Sequence, residues 1–182
     1  MKLFPTEKTE TLKASLRRFL FNLYPAIRGT GGRFAFISDD WHEVHTRLPL
    51  NLRTRNYVGT IFGGSMMAMA DPVYMVMLIN LLGPDYVVWD KAASIRFVRP
   101  ARKTLRARFV VQPEQLEAIR AEVAARQEME LVLPVYWEDQ TGTLHARLEK
   151  TLYIASKSYY QQKQQNKKKQ KAAETPGASY NS

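Results

Sequence analysis

Residues 65–82, SMMAMADPVYMVMLINLL, are apolar on nearly every side of a helix, and no other stretch constrains the fold so strongly. A helix without a polar face has to be surrounded. Its length would also suit a bilayer, but Asp71, Pro72 and Asn80 interrupt it and no second segment of the kind occurs. The expectation is therefore a buried helix wrapped by other elements. A length of 182 residues suits one domain with extensions, and 45% hydrophobic residues suffice for its core.

The wrapping material reads as strands. Residues 34–38 and 41–50 flank an Asp39-Asp40 turn, the second placing Val44, Thr46, Leu48 and Leu50 on one face. Further on come 92–99, then 105–111 with Leu105, Ala107, Phe109 and Val111 in phase. A short helix over 113–126 opens with Pro113. Strands over 129–138 (Leu131, Leu133, Val135, Trp137) and 143–155 (Leu144, Ala146, Leu148, Leu152, Ile154) are joined by a turn at 139–142. This order predicts an α+β domain: an antiparallel sheet curled around one central helix.

Two extensions flank it. Residues 8–24 place Leu12, Leu16, Phe19, Leu20 and Leu23 at helical spacing, with Lys8, Lys13, Arg17 and Arg18 elsewhere on the cylinder. Pro25 and the glycines at 29, 31 and 32 close this amphipathic helix, which is expected to pack on its own domain rather than on a membrane. The predicted division is 1–33 helix and linker, 34–156 domain, 157–182 tail. Six of the 27 basic residues and one of the 17 acids lie in that tail, which carries about half of the net charge of +10. Rich in Gln and Lys with little to bury, it predicts a disordered solubilising extension rather than a contact with nucleic acid or membrane.

Several chemistries are excluded. The chain has no cysteine, hence no disulfide, thiolate metal site or cysteine nucleophile. His42, His45 and His145 fall on strands without metal-ligand spacing, so neither a metal nor a cofactor is expected. No Ser–His–acid set, nucleophile elbow, phosphate-binding loop or dinucleotide fingerprint is present. The first ten residues hold no apolar signal region, which predicts a cytoplasmic protein.

What remains is concentrated around the long helix. Gly63-Gly64 at its start offers N–H groups without intrahelical partners at the positive end of the dipole. Without side chains there, a carbonyl can approach closely, the arrangement of an oxyanion hole. Asp71 is a carboxylate on an apolar helix, the setting in which general bases and nucleophiles recur. Met66, Met67, Met69, Met75 and Met77 on this helix read as core filling. Between Arg96 and Arg108 lie six basic residues and no acid.

The run Asn56-Tyr57-Val58-Gly59-Thr60-Ile61-Phe62-Gly63-Gly64, followed by Asp71 and by Ser94–Ala101 with its Arg99-Pro100-Ala101 turn, resembles the PaaI-like acyl-CoA thioesterases of the hotdog fold. The family pattern is N-x-x-G-T-x-H-G-G with an acid on the ensuing helix, and the resemblance spans about residues 34–155. With the turn at 38–41 and the N-terminal helix, the chain is similar to a poorly characterised bacterial hotdog subgroup. The resemblance implies a hotdog fold with an extra N-terminal helix, a homodimer or dimer of dimers, and hydrolysis of an acyl-CoA or related thioester. It implies a catalytic set of Asp71, Gly63 and Asn56, the last holding water or the thioester oxygen, with Phe62, Gly64 and Ser65 at the substrate. In such an enzyme Arg99, Arg102 and Lys103 would hold coenzyme A phosphates.

The sequence departs from the pattern at three places. Phe62 stands where the family has histidine, which argues against hotdog dehydratase chemistry. Pro72 follows Asp71 and predicts a kink. The polar residue early in the next strand has its nearest counterpart in Asp90. A rival reading is a non-catalytic acyl-ligand-binding or interaction protein, and a third is a basic-tailed nucleic-acid or membrane adaptor. Spacing adds one expectation. Gly63 and Asp71 are eight residues apart, about 12 Å along a helix, too far for one substrate carbon to meet both. A catalytic site would therefore need two antiparallel central helices, with Asp71 of one copy facing Gly63 and Asn56 of another.

Overall fold

The computed structural model describes residues 10–173. Residues 8 and 9 of the expected first helix, and 174–182 of the tail, lie outside them. In chain order the elements are α1 (Leu12–Leu23), α2 (Pro25–Gly29), β1 (Arg33–Ile37), β2 (Glu43–Leu48), α3 (Gly63–Leu82), β3 (Tyr86–Phe97), β4 (Leu105–Val110), α4 (Pro113–Arg126), β5 (Glu128–Glu138), β6 (Leu144–Ser156) and α5 (Lys157–Ala173). The six strands form one antiparallel sheet in the order β1-β2-β4-β5-β6-β3.

α3 lies against β2, β3, β4 and β6. The inward phase of each strand supplies the core: Leu105, Ala107 and Phe109 from β4, Val135 and Trp137 from β5, Leu148, Leu152 and Ile154 from β6. Two hydrogen bonds tie the helix to β5, from Trp137 Nε1 to the Met66 carbonyl at 3.2 Å and from the Tyr74 hydroxyl to the Pro134 carbonyl at 3.1 Å. Met66, Met69 and Met77 are buried, whereas Met67 and Met75 are half-buried. By length and composition α3 could cross a bilayer, but half of it is buried inside the domain, as befits a core helix.

Within one chain α3 is not wrapped on all sides. Gly64, Ala68, Asp71 and Ile79 form an exposed stripe. The sheet stops at β3, which pairs only with β6 among the described residues and leaves 91–94 exposed. The helix continues through Pro72 and ends at Gly83, whose φ of 87° is the left-handed geometry that glycine adopts freely.

Both extensions differ from expectation. α1 lies on the domain, but by the opposite face from its apolar stripe. Ala14 is buried, and the Phe21 ring packs 5.3 Å from Phe34 and 5.9 Å from Trp41. The Asn22 amide bonds the Phe34 N–H at 2.8 Å and its carbonyl at 3.0 Å, completing the free edge of β1 as another strand would. Leu12 is 92% exposed, and Leu16, Phe19, Leu20 and Leu23 lie between 49% and 59%. Periodicity locates an apolar stripe; here the polar demand of a strand edge decides which way it turns.

At the other end, residues 157–173 form α5 rather than a disordered tail. Its anchor is Glu128 at the start of β5, which accepts from Lys163 and from the Tyr159 hydroxyl, while Tyr160 packs 6.3 Å from Tyr153. The Lys163 ammonium holds the Glu128 carboxyl below its usual range. Two tyrosines and one lysine attach a segment whose overall composition argues for disorder.

Candidate active site

The loop before α3 is built by its own polar groups. Asn56 Oδ1 accepts from the Thr60 N–H at 2.9 Å, Asn56 Nδ2 donates to Thr60 Oγ1 at 2.8 Å, and the Asn56 N–H reaches the Thr60 carbonyl at 2.8 Å. Gly59 takes the left-handed position between them, φ 79°. The loop is held to the helix start by Phe62 N–H to the Thr54 carbonyl, 2.7 Å, and to the Pro100 turn by Ile61 N–H to the Ala101 carbonyl, 2.9 Å. Both polar atoms of the Asn56 side chain are thus engaged with Thr60. Asn56 shapes a wall, with its second Nδ2 hydrogen left without a partner among the described residues.

Phe62 is the N-cap of α3, and Gly63 and Gly64 form its first turn. The glycines make room for two aromatic rings. A Cβ on Gly63 would sit 2.4 Å from Cζ of Phe97, and one on Gly64 2.3 Å from Cε1 of Phe62. Beside Gly63 opens a cleft of about 440 Å³ lined by Asn56, Gly63, Met66, Phe97, Arg99 and Arg102, among others. Val58 and Arg102 also border a second hollow of about 720 Å³, shared with Arg55 and Tyr57. None of Arg55, Arg99 and Arg102 has an ion-pair partner among the described residues.

The cleft therefore brings together Asn56, Gly63, Arg99 and Arg102. Phe62, Gly64, Ser65 and Lys103 are not among its walls, and Ser65 is buried. Asp71 also lies apart, further along the exposed stripe of α3. Its surroundings include Asp90, already singled out in the sequence, and one residue that the sequence reading overlooked. Lys150, on β6, is only 1% exposed, and its Nζ lies 2.6 Å from Asp71 Oδ1 and 2.9 Å from Asp90 Oδ1. Asp90 pairs in register with Leu152, two residues from Lys150 and on the same inner face; the bulge at Lys91 follows it.

One cation thus serves two carboxylates. Burial raises the Asp90 carboxyl above its usual range, against the lowering effect of the Lys150 ammonium. Asp71 differs in being open to solvent, its side chain 57% exposed. Lys150 donates to Oδ1 and leaves Oδ2 as an acceptor. Among the described residues no group of three or more His, Asp or Glu side chains is placed to hold a metal ion.

A curled antiparallel sheet laid against one long helix is the hotdog fold. Over residues 13–154 the chain matches the family described as a domain of unknown function, DUF4442, and it belongs to that family. No curated protein matches the sequence. Solved structures do. A Pseudomonas aeruginosa protein of unknown function, named a probable thioesterase, superposes with a TM-score of 0.69 at 19% identity, covering 82% of this chain and 99% of its own. A Haemophilus influenzae thioesterase gives 0.57 at 17% identity, covering 82% and 93%. A Chlorobaculum tepidum protein of unknown function gives 0.61 at 13% identity, covering 78% and 93%. At these identities the likeness is one of fold.

Proposed function

We propose that this protein is a cytoplasmic hydrolase of acyl-CoA or related acyl thioesters that works as a homodimer or a dimer of dimers. The observation that carries the reading is Asp71: a carboxylate on the open stripe of the core helix, held at 2.6 Å by a fully buried lysine. The same lysine neutralises the half-buried Asp90, and its further reach to the surface fixes Asp71 in place while leaving Oδ2 open to accept a proton.

The cleft beside Gly63 does not include Asp71, and about 12 Å of helix separates the two. A second copy, docked along the open stripe of α3 and the open edge of β3, would bring its Asp71 to the first copy's Gly63. Asp71 Oδ2 then takes a proton from water as the water oxygen attacks the thioester carbonyl. The Gly63 N–H stabilises the oxyanion, the C–S bond breaks, and the proton passes to the departing thiolate, leaving a carboxylic acid and a thiol. Gly63 and Asp71 take the roles expected from the sequence, and Asn56, in the wall of the same cleft, holds water or the thioester oxygen through its remaining Nδ2 hydrogen. Arg99 and Arg102, joined by Arg55, hold the phosphates of the carrier, for which guanidinium groups are suited.

The aromatic rings over Gly63 and Gly64 favour the second reading, an acyl-ligand-binding protein without turnover. Turnover of a panel of acyl-CoAs separates the two. Wild type is expected to hydrolyse at least one chain length and Asp71→Asn to lose about 10²-fold or more in kcat. No turnover by wild type at any length, or an unaffected variant, would overturn the mechanism.

A further inference from the structure

We infer that α1 is a docking surface for anionic lipid bilayers. At about 100° per residue, Leu12, Leu16, Phe19, Leu20 and Leu23 fall within an arc of roughly 100°, while Ala14 and Phe21, which face the domain, lie about 180° away. The helix is thus attached by its back, through Phe21, Asn22 and Arg17, whose guanidinium lies 4.6 Å over the Trp41 ring. Its apolar front is turned to solvent, with Tyr24 exposed beyond its end. A soluble protein seldom leaves such a stripe uncovered without a use for it.

Charge identifies the occupant. Residues 11–38 contain five cations and no acid; Arg17 stacks on Trp41 and Arg18 pairs with Glu10 at 2.8 Å, which leaves Lys13, Arg28 and Arg33 exposed. Lys13 is exposed on the flank of the stripe, next to Leu20 on the helical wheel, and Arg28 is exposed on the helix that follows. An apolar face with cations beside it is what an interfacial helix presents to acidic headgroups. Size argues against a second protein. The stripe is about 18 Å long and one helix wide, well short of the roughly 800 Å² that each partner gives to a stable interface. A bilayer asks only that a few side chains enter the acyl boundary. This inference is independent of the hydrolase reading and is tested without turnover.

The test is co-sedimentation of the full chain with vesicles of phosphatidylcholine alone and of phosphatidylcholine with phosphatidylglycerol at two to one. Wild type is expected to bind the anionic vesicles at least about tenfold more than the neutral ones, less so as salt rises. Leu16→Ser with Phe19→Ser should reduce that binding about tenfold or more, with an unchanged melting temperature because both side chains are exposed. Lys13→Glu should weaken binding to anionic vesicles while leaving the melting temperature as it is. Equal binding by the double variant overturns the inference, as does loss of binding only when residues 157–182 are removed, which would assign it to the tail lysines. Absence of binding by wild type overturns it too. So does a smaller oligomer of the double variant in sedimentation velocity with its vesicle binding intact, which would make the stripe a contact between copies.

Discussion

Lys150 Nζ lies 2.6 Å from Asp71 Oδ1 across 79 residues of sequence, joining the innermost face of β6 to the outermost stripe of α3. Asp90 completes the arrangement at 2.9 Å. Removing the cation leaves two carboxylates facing each other, one of them half-buried in the sheet. Lys150→Met is therefore expected to cost about 3 kcal/mol, at the lower end for a broken buried pair because Asp71 keeps access to water. Urea unfolding reads this as a lower midpoint at unchanged slope. Adding Asp71→Asn and Asp90→Asn should restore most of the loss, and a triple variant as unstable as Lys150→Met would refute the electrostatic account.

Asp90 also sets a pH dependence. Burial raises its carboxyl above the ordinary aspartate value of 3.8, so between that value and its folded one the native state binds more protons than the unfolded chain. Stability from this group is then greatest in acid and falls as pH rises through that interval. Asp90→Asn lacks the titration. Denaturant midpoints from just below 3.8 upward should show wild type losing ground relative to Asp90→Asn; parallel curves would count against a buried, costly carboxylate.

Gly63→Ala separates packing from chemistry at the helix tip. The new Cβ meets the end of the Phe97 ring, which is 57% exposed and free to swing, so the stability cost should stay near 1 kcal/mol or below. If the Gly63 N–H faces the oxyanion, the displaced ring and the added methyl should lower kcat by about 10². A variant as active as wild type would leave the glycine with a packing role alone.

The arginines divide the substrate into carrier and acyl group. Arg99→Ala and Arg102→Ala are each expected to raise KM for an acyl-CoA about tenfold, the loss of one charge-assisted phosphate contact, with kcat nearly unchanged. Arg55→Ala should do the same. For a short pantetheine-like thioester without phosphates the three variants should match wild type; an equal loss on both substrates would place these side chains elsewhere in the mechanism.

Much of the frame was legible in the residues. Leu105, Ala107 and Phe109 alternate because β4 has one face on the core, and Pro113 opens α4 through its fixed φ. The glycine pair and Asp71 stood out because each breaks a local rule. Lys150 carried a signal as well. In the run Leu144, Ala146, Leu148, Lys150, Leu152, Ile154 it occupies the inward phase of a strand, a charge among apolar neighbours. The pattern says that such a lysine needs a partner; it does not say which.

The N-terminal helix shows the same boundary from the other side. Period and polarity predicted an amphipathic helix over 8–24, which the structure forms over Leu12–Leu23, since helical spacing is a local property of the chain. Which side faces the domain depended on the unpaired edge of β1 and on Asn22 matching it, a contact between segments that local periodicity does not encode. Likewise the apolar length of α3 required a covering sheet, whereas the sheet's end at β3 left one side open with Asp71 on it. Local patterning determined what each segment becomes; the meeting of distant polar groups, Lys150 with its two aspartates and Asn22 with a strand edge, was decided only when the sheet closed around the helix, because a buried charge or an unpaired strand takes its partner from whichever segment the fold brings within hydrogen-bonding reach.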